Sequence, residues 1–398
     1  MTDDIWGPLA ERYRSRRPRR LLALDGGGIR GVLTLAILAE IESQLAKTTG
    51  TGRSFRLCHF FDYIAGTSTG AIIAAGLARG MSVRELITFY TSLGPDIFKK
   101  ERLLFRLKHF YTSDPLAEQL KKTFGAKTTL TPEDLRCLLL VVTRNVTTDS
   151  PWPISSAPVA KYNARDRADC NLRIPLWRLV RASTAAPIYF PPEVLEWDPK
   201  DPAKTFVFVD GGMTPYNNPA FLLYRMATAP AYRLGWATGE RNLMLISIGT
   251  GAAATLGPEA QTPETNIASA LAGLPGALMY GASVDQDVNC RVIGRCVHGA
   301  SIDRELGDMI PRDAQGRTIP LDHDLGRHFL YARYNADLSD DGLAQLGVAD
   351  VDGQAVRKLD AVDHVDDLLR IGRAAAGQVR LLEQFGALVT GHIEAPAE

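Results

Sequence analysis

Leu21-Leu22-Ala23-Leu24, Cys137 to Val142 and Leu243 to Ile248 are short runs that are apolar at nearly every position. A strand points successive side chains to opposite faces, so such runs keep both faces out of water. Phe60 to Ala65, Val207 to Val209 and the alternating stretch His328 to Tyr334 read as further strands. Helical stretches fit between them, at about 32–45, 71–78, 82–93, 114–124, 175–185, 218–228, 263–285 and 361–386. Strands buried on both faces and separated by helices predict an α/β fold: a largely parallel sheet covered by helices on each side.

The chain of 398 residues is 45% hydrophobic and 23% charged, which is enough apolar surface for a large core and excludes global disorder. No linker interrupts it. The reading is a basic lead over 1–19, one folded unit over 20–390 with 253–390 its less regular part, and a tail over 391–398. The lead carries Arg12, Arg14, Arg16, Arg17, Arg19 and Arg20 around Pro18, and is expected to be a solvated tail. The 5 cysteines contain no C-x-x-C pair, which argues against a disulfide framework and fits a reducing cytoplasm. Asp25 and Arg30 interrupt what would be the apolar core of an export signal, and no run of about 20 clean apolar residues exists. The 45 basic residues equal the 45 acidic ones, which argues against a nucleic-acid binder.

Three motifs carry chemistry. Gly66-Thr67-Ser68-Thr69-Gly70 sits between a predicted strand and a predicted helix. In that setting G-x-S-x-G is a nucleophile elbow, a tight turn that lifts a serine hydroxyl out of the chain. Asp25-Gly26-Gly27-Gly28-Ile29-Arg30-Gly31 joins the first strand to the first helix, leaving uncovered backbone N–H groups that suit an anion. It also fits G-x-G-x-x-G, but a dinucleotide site expects an acid at the end of a second strand, and Glu40 and Glu42 fall inside the helix. An oxyanion hole serving Ser68 fits better. Asp210-Gly211-Gly212 closes the apolar run Phe206 to Val209, placing an acid at a strand end.

Together these motifs resemble the patatin-like phospholipase family. Ala182-Ser183-Thr184-Ala185-Ala186-Pro187, leading towards Pro192, resembles its segment before the catalytic aspartate, and Leu245 to Gly251 resembles its later strand and turn. Gly94-Pro95-Asp96-Ile97-Phe98 also has a counterpart in plant patatins. The likeness spans about 20–252. It implies a three-layer α/β/α sandwich and a lipid acyl hydrolase with a Ser–Asp dyad. In that arrangement Ser68 is the nucleophile, Asp210 the general base, and the amides of Gly26, Gly27 and Gly28 the oxyanion hole. It implies no cofactor.

Other readings stand beside this one. A Ser–Asp–His triad could draw on His59, His109, His298, His323, His328, His364 or His392, none of which sits in a recognisable motif. A storage or binding protein of the same fold is an alternative, as is a defence phospholipase switched on by a cyclic nucleotide. Arg30 is either a solvated surface arginine or a contact for a substrate phosphate or carbonyl. Over 97–111, Lys99 and Lys100 mix with Phe105 and other aromatic and basic residues, a composition suited to transient docking on an anionic membrane. Residues 266–284 read as a core helix or a cover. Asp337, Ser339, Asp341 and Gly342 hint at a calcium loop, but Val348 stands where its glutamate is required, so calcium-independent catalysis is expected. The lipid is the expected partner, with no nucleic acid.

Overall fold

The computed structural model describes residues 4–98, 115–187, 189–198, 200–252 and 267–391; the side chains of 93–98 and 267–275 lie outside that description. Nine strands form one sheet: β1 (Arg19–Leu24), β2 (Tyr63–Thr67), β3 (Leu138–Asn145), β4 (Ser150–Ser155), β5 (Glu193–Glu196), β6 (Thr205–Asp210), β7 (Leu243–Ile248), β8 (Arg295–His298) and β9 (Leu330–Tyr334). Their order is β5-β6-β3-β2-β1-β7-β9-β8, with β4 also paired to β3. Pairing is parallel from β3 through β2, β1, β7 and β9 to β8, and antiparallel where β4, β5 and β6 join.

The strands feed two separate cores, as both-face burial predicts. Leu22, Leu24, Ile64, Ile246 and Ile248 point into one, with the helices α1 (Gly31–Thr49) and α2 (Thr69–Ala78). Leu21, Ala23, Tyr63, Ala65 and Leu245 point into the other. Of the helices, α3 (Leu176–Ser183) joins the first core, whereas α4 (Ala220–Thr228) and the end of α5 (Ile267–Ile293) cover the second. The result is the three-layer α/β/α sandwich.

One detail of the register positions everything that follows. Thr67, at the end of β2, pairs with Val142 of β3. Asp210, at the end of β6, pairs with the next residue, Thr143. β4 pairs with both Val142 and Thr143, so it holds one edge of β3 from Leu140 to Asn145. β2 and β6 must therefore share the other edge, end to end and running towards each other.

The sequence reading needs correction in several places, and strands β5 and β8 were not expected. The strand expected over Phe60 to Ala65 begins only at Tyr63, because Leu57–Phe60 turns as a helix. The helix expected over 361–386 breaks into Val362–His364, α6 (Val365–Ala376) and Leu381–Phe385. Strand β4 was not expected, because Pro151 and Pro153 interrupt its pattern; an edge strand tolerates them.

The basic lead is no solvated tail. Asp62 is fully buried, and Arg12, Arg17 and Arg19 surround its Oδ1 at 3.2, 2.5 and 3.8 Å. Arg12 also donates to the Cys58 and Phe61 carbonyls, and Arg20 to that of Leu388. Burial by itself would raise the Asp62 carboxyl, but the three guanidinium groups outweigh it and hold it low. Arg12, Arg17, Arg19 and Arg20 are thus an internal anchor, whereas Arg14 and Arg16 are exposed. All five cysteines are buried and unbridged.

Candidate active site

Ser68 stands between β2 and α2 with φ 53° and ψ −123°. A non-glycine residue there carries strain of about 1–3 kcal/mol. Its neighbours explain why the chain accepts it. A Cβ on Gly66 would lie 2.1 Å from the Gly70 carbonyl oxygen, and one on Gly70 would lie 2.3 Å from that of Leu24. Only glycines let the helix start so close to the strand. The Ser68 N–H donates to Ser183 Oγ at 2.9 Å, and the Ser183 hydroxyl donates to the Val142 carbonyl at 2.7 Å. Ser183, at the end of α3, thereby ties the elbow to β3.

The Ser68 hydroxyl donates to Asp210 Oδ2 at 2.6 Å. The other carboxylate oxygen accepts from the Gly212 N–H at 2.7 Å. Asp210 is 5% exposed. Burial raises its pKa to about 6, and the bonds from Ser68 and Gly212 only partly offset this. Among the described residues no histidine bonds to either side chain. His59 accepts from the Arg56 N–H, His328 pairs with Tyr224, and His364 with Asp367. His109 and His392 lie outside the described residues.

The glycine loop lies against the elbow, since a Cβ on Gly26 would be 3.2 Å from that of Ser68. Gly26 was expected among the oxyanion donors, but its N–H donates to the Asn217 carbonyl at 3.1 Å. The amides of Gly27 and Gly28 have no acceptor among the described residues. Gly27 packs on Thr250, whose Oγ1 would be 2.1 Å from an added Cβ. Gly28 has φ +60° and abuts the Leu359 carbonyl, which also accepts from the Ile29 N–H at 3.0 Å. Beneath the loop, Arg333 of β9 holds Asp25 in a two-bond pair at 2.8 and 2.6 Å.

Arg30 is not a solvated surface residue. Its Nε donates to the Gly27 carbonyl at 3.3 Å and its Nη1 to that of Gly251 at 3.1 Å. Burial lowers its pKa to about 10 despite the nearby Asp25. Lys99, Lys100 and Phe105, with the proposed lipid-docking stretch, lie outside the described residues. The stretch from Asp337 forms a helix cap: Asp337 Oδ1 accepts from the Ser339 N–H, and Ser339 Oγ from that of Gly342. Among the described residues, no group of three or more His, Cys, Asp or Glu side chains is placed to hold a metal. No described helix is long and apolar enough to cross a membrane.

Sequence reasoning named Ser68, Asp210 and the glycine loop, which the structure brings together. It missed Ser183, Asn217, Thr250 and Arg333 as their supports. Ser183 lay inside a recognised segment, but nothing local marks a hydroxyl that will meet an amide 115 residues away.

Comparison with known proteins identifies the family. The family model described as Patatin-like phospholipase matches residues 22–224. A cGAMP-activated phospholipase of Vibrio cholerae is 30% identical over 321 residues, covering 77% of this chain and 82% of that protein. A cGAMP-activated phospholipase of Escherichia coli is 35% identical, covering 52% of this chain and 55% of its own length. Patatin-15 of Solanum tuberosum is 28% identical, covering 58% of this chain and 60% of its own length. The chain belongs to the patatin-like phospholipase family, and is a lipid acyl hydrolase.

Proposed function

We propose that this chain cleaves fatty-acyl esters of membrane lipids through a Ser68–Asp210 dyad and an acyl-enzyme. The observation that carries this reading is the 2.6 Å bond from Ser68 Oγ to a buried carboxylate whose pKa is raised to about 6. An aspartate at its ordinary pKa of about 3.9 is a weak base at neutral pH, and burial brings it nearer the working range. Asp210 takes the proton as Ser68 Oγ attacks the acyl carbonyl. The amides of Gly27 and Gly28 receive the oxyanion, and one such donor is worth roughly 10²–10³ in rate. Asp210 then returns the proton to the leaving alcohol. Water, deprotonated by the same carboxylate, releases the fatty acid from the ester on Ser68.

Covalent labelling by a fluorophosphonate tests the nucleophile: labelling is expected in the parent chain and lost in Ser68→Ala. A storage or binding role would leave the folded parent unlabelled. We read residues 20–390 as one catalytic unit, supported by β9, which pairs with β7 and supplies the arginine under the glycine loop. We place the protein in the cytoplasm with transient membrane contact through Lys99, Lys100 and Phe105. Lys99→Glu with Lys100→Glu is then expected to lower activity on anionic vesicles and to spare a soluble ester.

A second reading concerns control: the chain is switched on by a cyclic nucleotide. Its support is the likeness to two phospholipases named as cGAMP-activated, one of them covered over 82% of its length. The expected result is hydrolysis of a lipid substrate that rises on addition of cGAMP. Equal rates with and without it would remove this reading and leave the dyad untouched.

A further inference from the structure

A cavity of about 500 Å³ opens beside the glycine loop, at the carboxyl ends of β1, β7 and β9 and under α5. That is a common size for a small-molecule site, and the carboxyl ends of parallel strands are a common place for one. Asp25, Gly26 and Asn217 form part of its wall, whereas Ser68 and Asp210 do not. It is therefore next to the dyad and distinct from it.

Four arginines line this cavity. Two are matched: Arg333 pairs with Asp25 at 2.6 Å and Arg291 with Asp287 at 2.7 Å. Arg30 and Arg357 have no carboxylate partner among the described residues. Arg30 holds the Gly27 and Gly251 carbonyls, and Arg357 grips the Leu338 carbonyl through Nε and Nη2 at 3.1 and 2.9 Å. Arg30 Nη2 and Arg357 Nη1 keep their donors without an acceptor among the described residues. The two forks are anchored to adjacent main chain, since the Leu338 N–H donates to the Ala252 carbonyl at 2.9 Å. Unmatched guanidinium groups in a cavity wall call for an anion, and their forked donors suit phosphate oxygens.

The rest of the wall fits a base. Tyr280, 36% exposed, offers an aromatic ring. Asn335 uses its Oδ1 on the Gly251 N–H and keeps its amide donors, and Asp337 uses one oxygen on the Ser339 N–H and keeps the other. An aromatic face with an amide and a carboxylate beside it is equipment for stacking on a purine and reading its edge. The same wall touches the oxyanion loop. Arg30 holds the Gly27 carbonyl, and Leu359, two residues from Arg357, holds the Ile29 N–H.

We propose that this cavity is a phosphodiester site occupied by a cyclic dinucleotide, with a phosphate between Arg30 and Arg357, and that its occupation sets the amides of Gly27 and Gly28. This rests on the cyclic-nucleotide reading above. A phospholipid headgroup carries the same phosphodiester, so the experiment separates the two sources. cGAMP is titrated calorimetrically into the full chain carrying Ser68→Ala, then into the same chain with Arg357→Gln or Tyr280→Ala added, with thermal melts to confirm folding. The expected result is binding that weakens about tenfold or more in each added variant. Deacylated glycerophosphocholine and glycerophosphoglycerol are expected not to displace cGAMP.

Binding undiminished by both substitutions would overturn the site and leave cyclic-nucleotide activation standing. Displacement by the glycerophosphodiesters would make the cavity a headgroup site and overturn its regulatory role. No cGAMP binding, together with hydrolysis indifferent to cGAMP, would overturn the activation reading and this inference with it. If Arg357→Gln fails to fold, Tyr280→Ala decides.

Discussion

The Ser68 hydroxyl and the Asp210 carboxylate meet at 2.6 Å although 142 residues separate them. Strand β3 brings them together. It pairs Val142 with Thr67, the residue before the serine, and Thr143 with Asp210 itself. Two strands approaching from opposite directions end against consecutive residues of a third. The dyad is thus a product of sheet register, and a slip of one residue would turn Asp210 to the other face.

Asp210→Asn is expected to lower kcat on a soluble ester by about 10²–10⁴, the usual worth of a general base. Replacing His59, His298, His328 or His364 singly is expected to leave turnover largely intact. Loss of turnover on replacing any one of them in a chain that still folds would contradict a dyad without histidine.

The raised pKa of Asp210 sets two opposite pH dependences. The carboxylate is the active form, so kcat/KM on an uncharged ester should rise through about pH 6 and then level. Stability runs the other way. Between the ordinary value of about 3.9 and about 6 the folded state holds the proton more tightly than the unfolded state, so stability falls as pH rises through that window. The shift corresponds to a penalty on the order of 3 kcal/mol above pH 6. Asp210→Asn removes this titration. Its melting temperature relative to the parent should therefore climb between pH 4 and pH 7, while its activity stays low. Parallel melting curves across that range would show that Asp210 is not shifted.

Gly27→Ala should cost about 10²–10³ in rate, the effect of one displaced oxyanion donor, because the added Cβ meets Thr250. Thr250→Gly removes the opposing atoms. The double variant should recover part of the lost rate, although the bond from Thr250 to the Gly26 carbonyl is gone. A double variant no better than Gly27→Ala would show that the glycine is required for some other reason.

Asp62→Asn should destabilise the fold by about 3–5 kcal/mol, the typical cost of breaking a buried ion pair by removing one partner. It leaves Arg12, Arg17 and Arg19 without their shared anion. Urea unfolding measures this directly. A change under about 1 kcal/mol would mean that the arginines find water or another partner, as exposed pairs do.

Local pattern made much of this protein legible. Apolar runs marked β1, β3 and β7, because burial on both faces leaves no polar positions. Ser68 and the Gly26–Gly28 loop were readable because a tight strand-to-helix turn demands particular residues within a few positions of each other. Asp210 was readable as an acid at a strand end. Other features had no local mark. The two prolines of β4 conceal a strand that exists only because β3 offers it an edge. The lead resembled a solvated tail because a run of arginines carries no sign of the one buried aspartate it will surround. Gly26 resembled its neighbours until Asn217 took its N–H.

The sequence by itself determined the class of fold, the candidate nucleophile and the residues proposed to serve it, since each depends on chemistry within one short segment. Tertiary structure decided which amides have no acceptor among the described residues, how far the Asp210 pKa rises, and that two arginines in one cavity have no carboxylate paired to them among the described residues. Each of these depends on what distant segments bring against a group, and burial and hydrogen-bond partners exist only once the chain has folded.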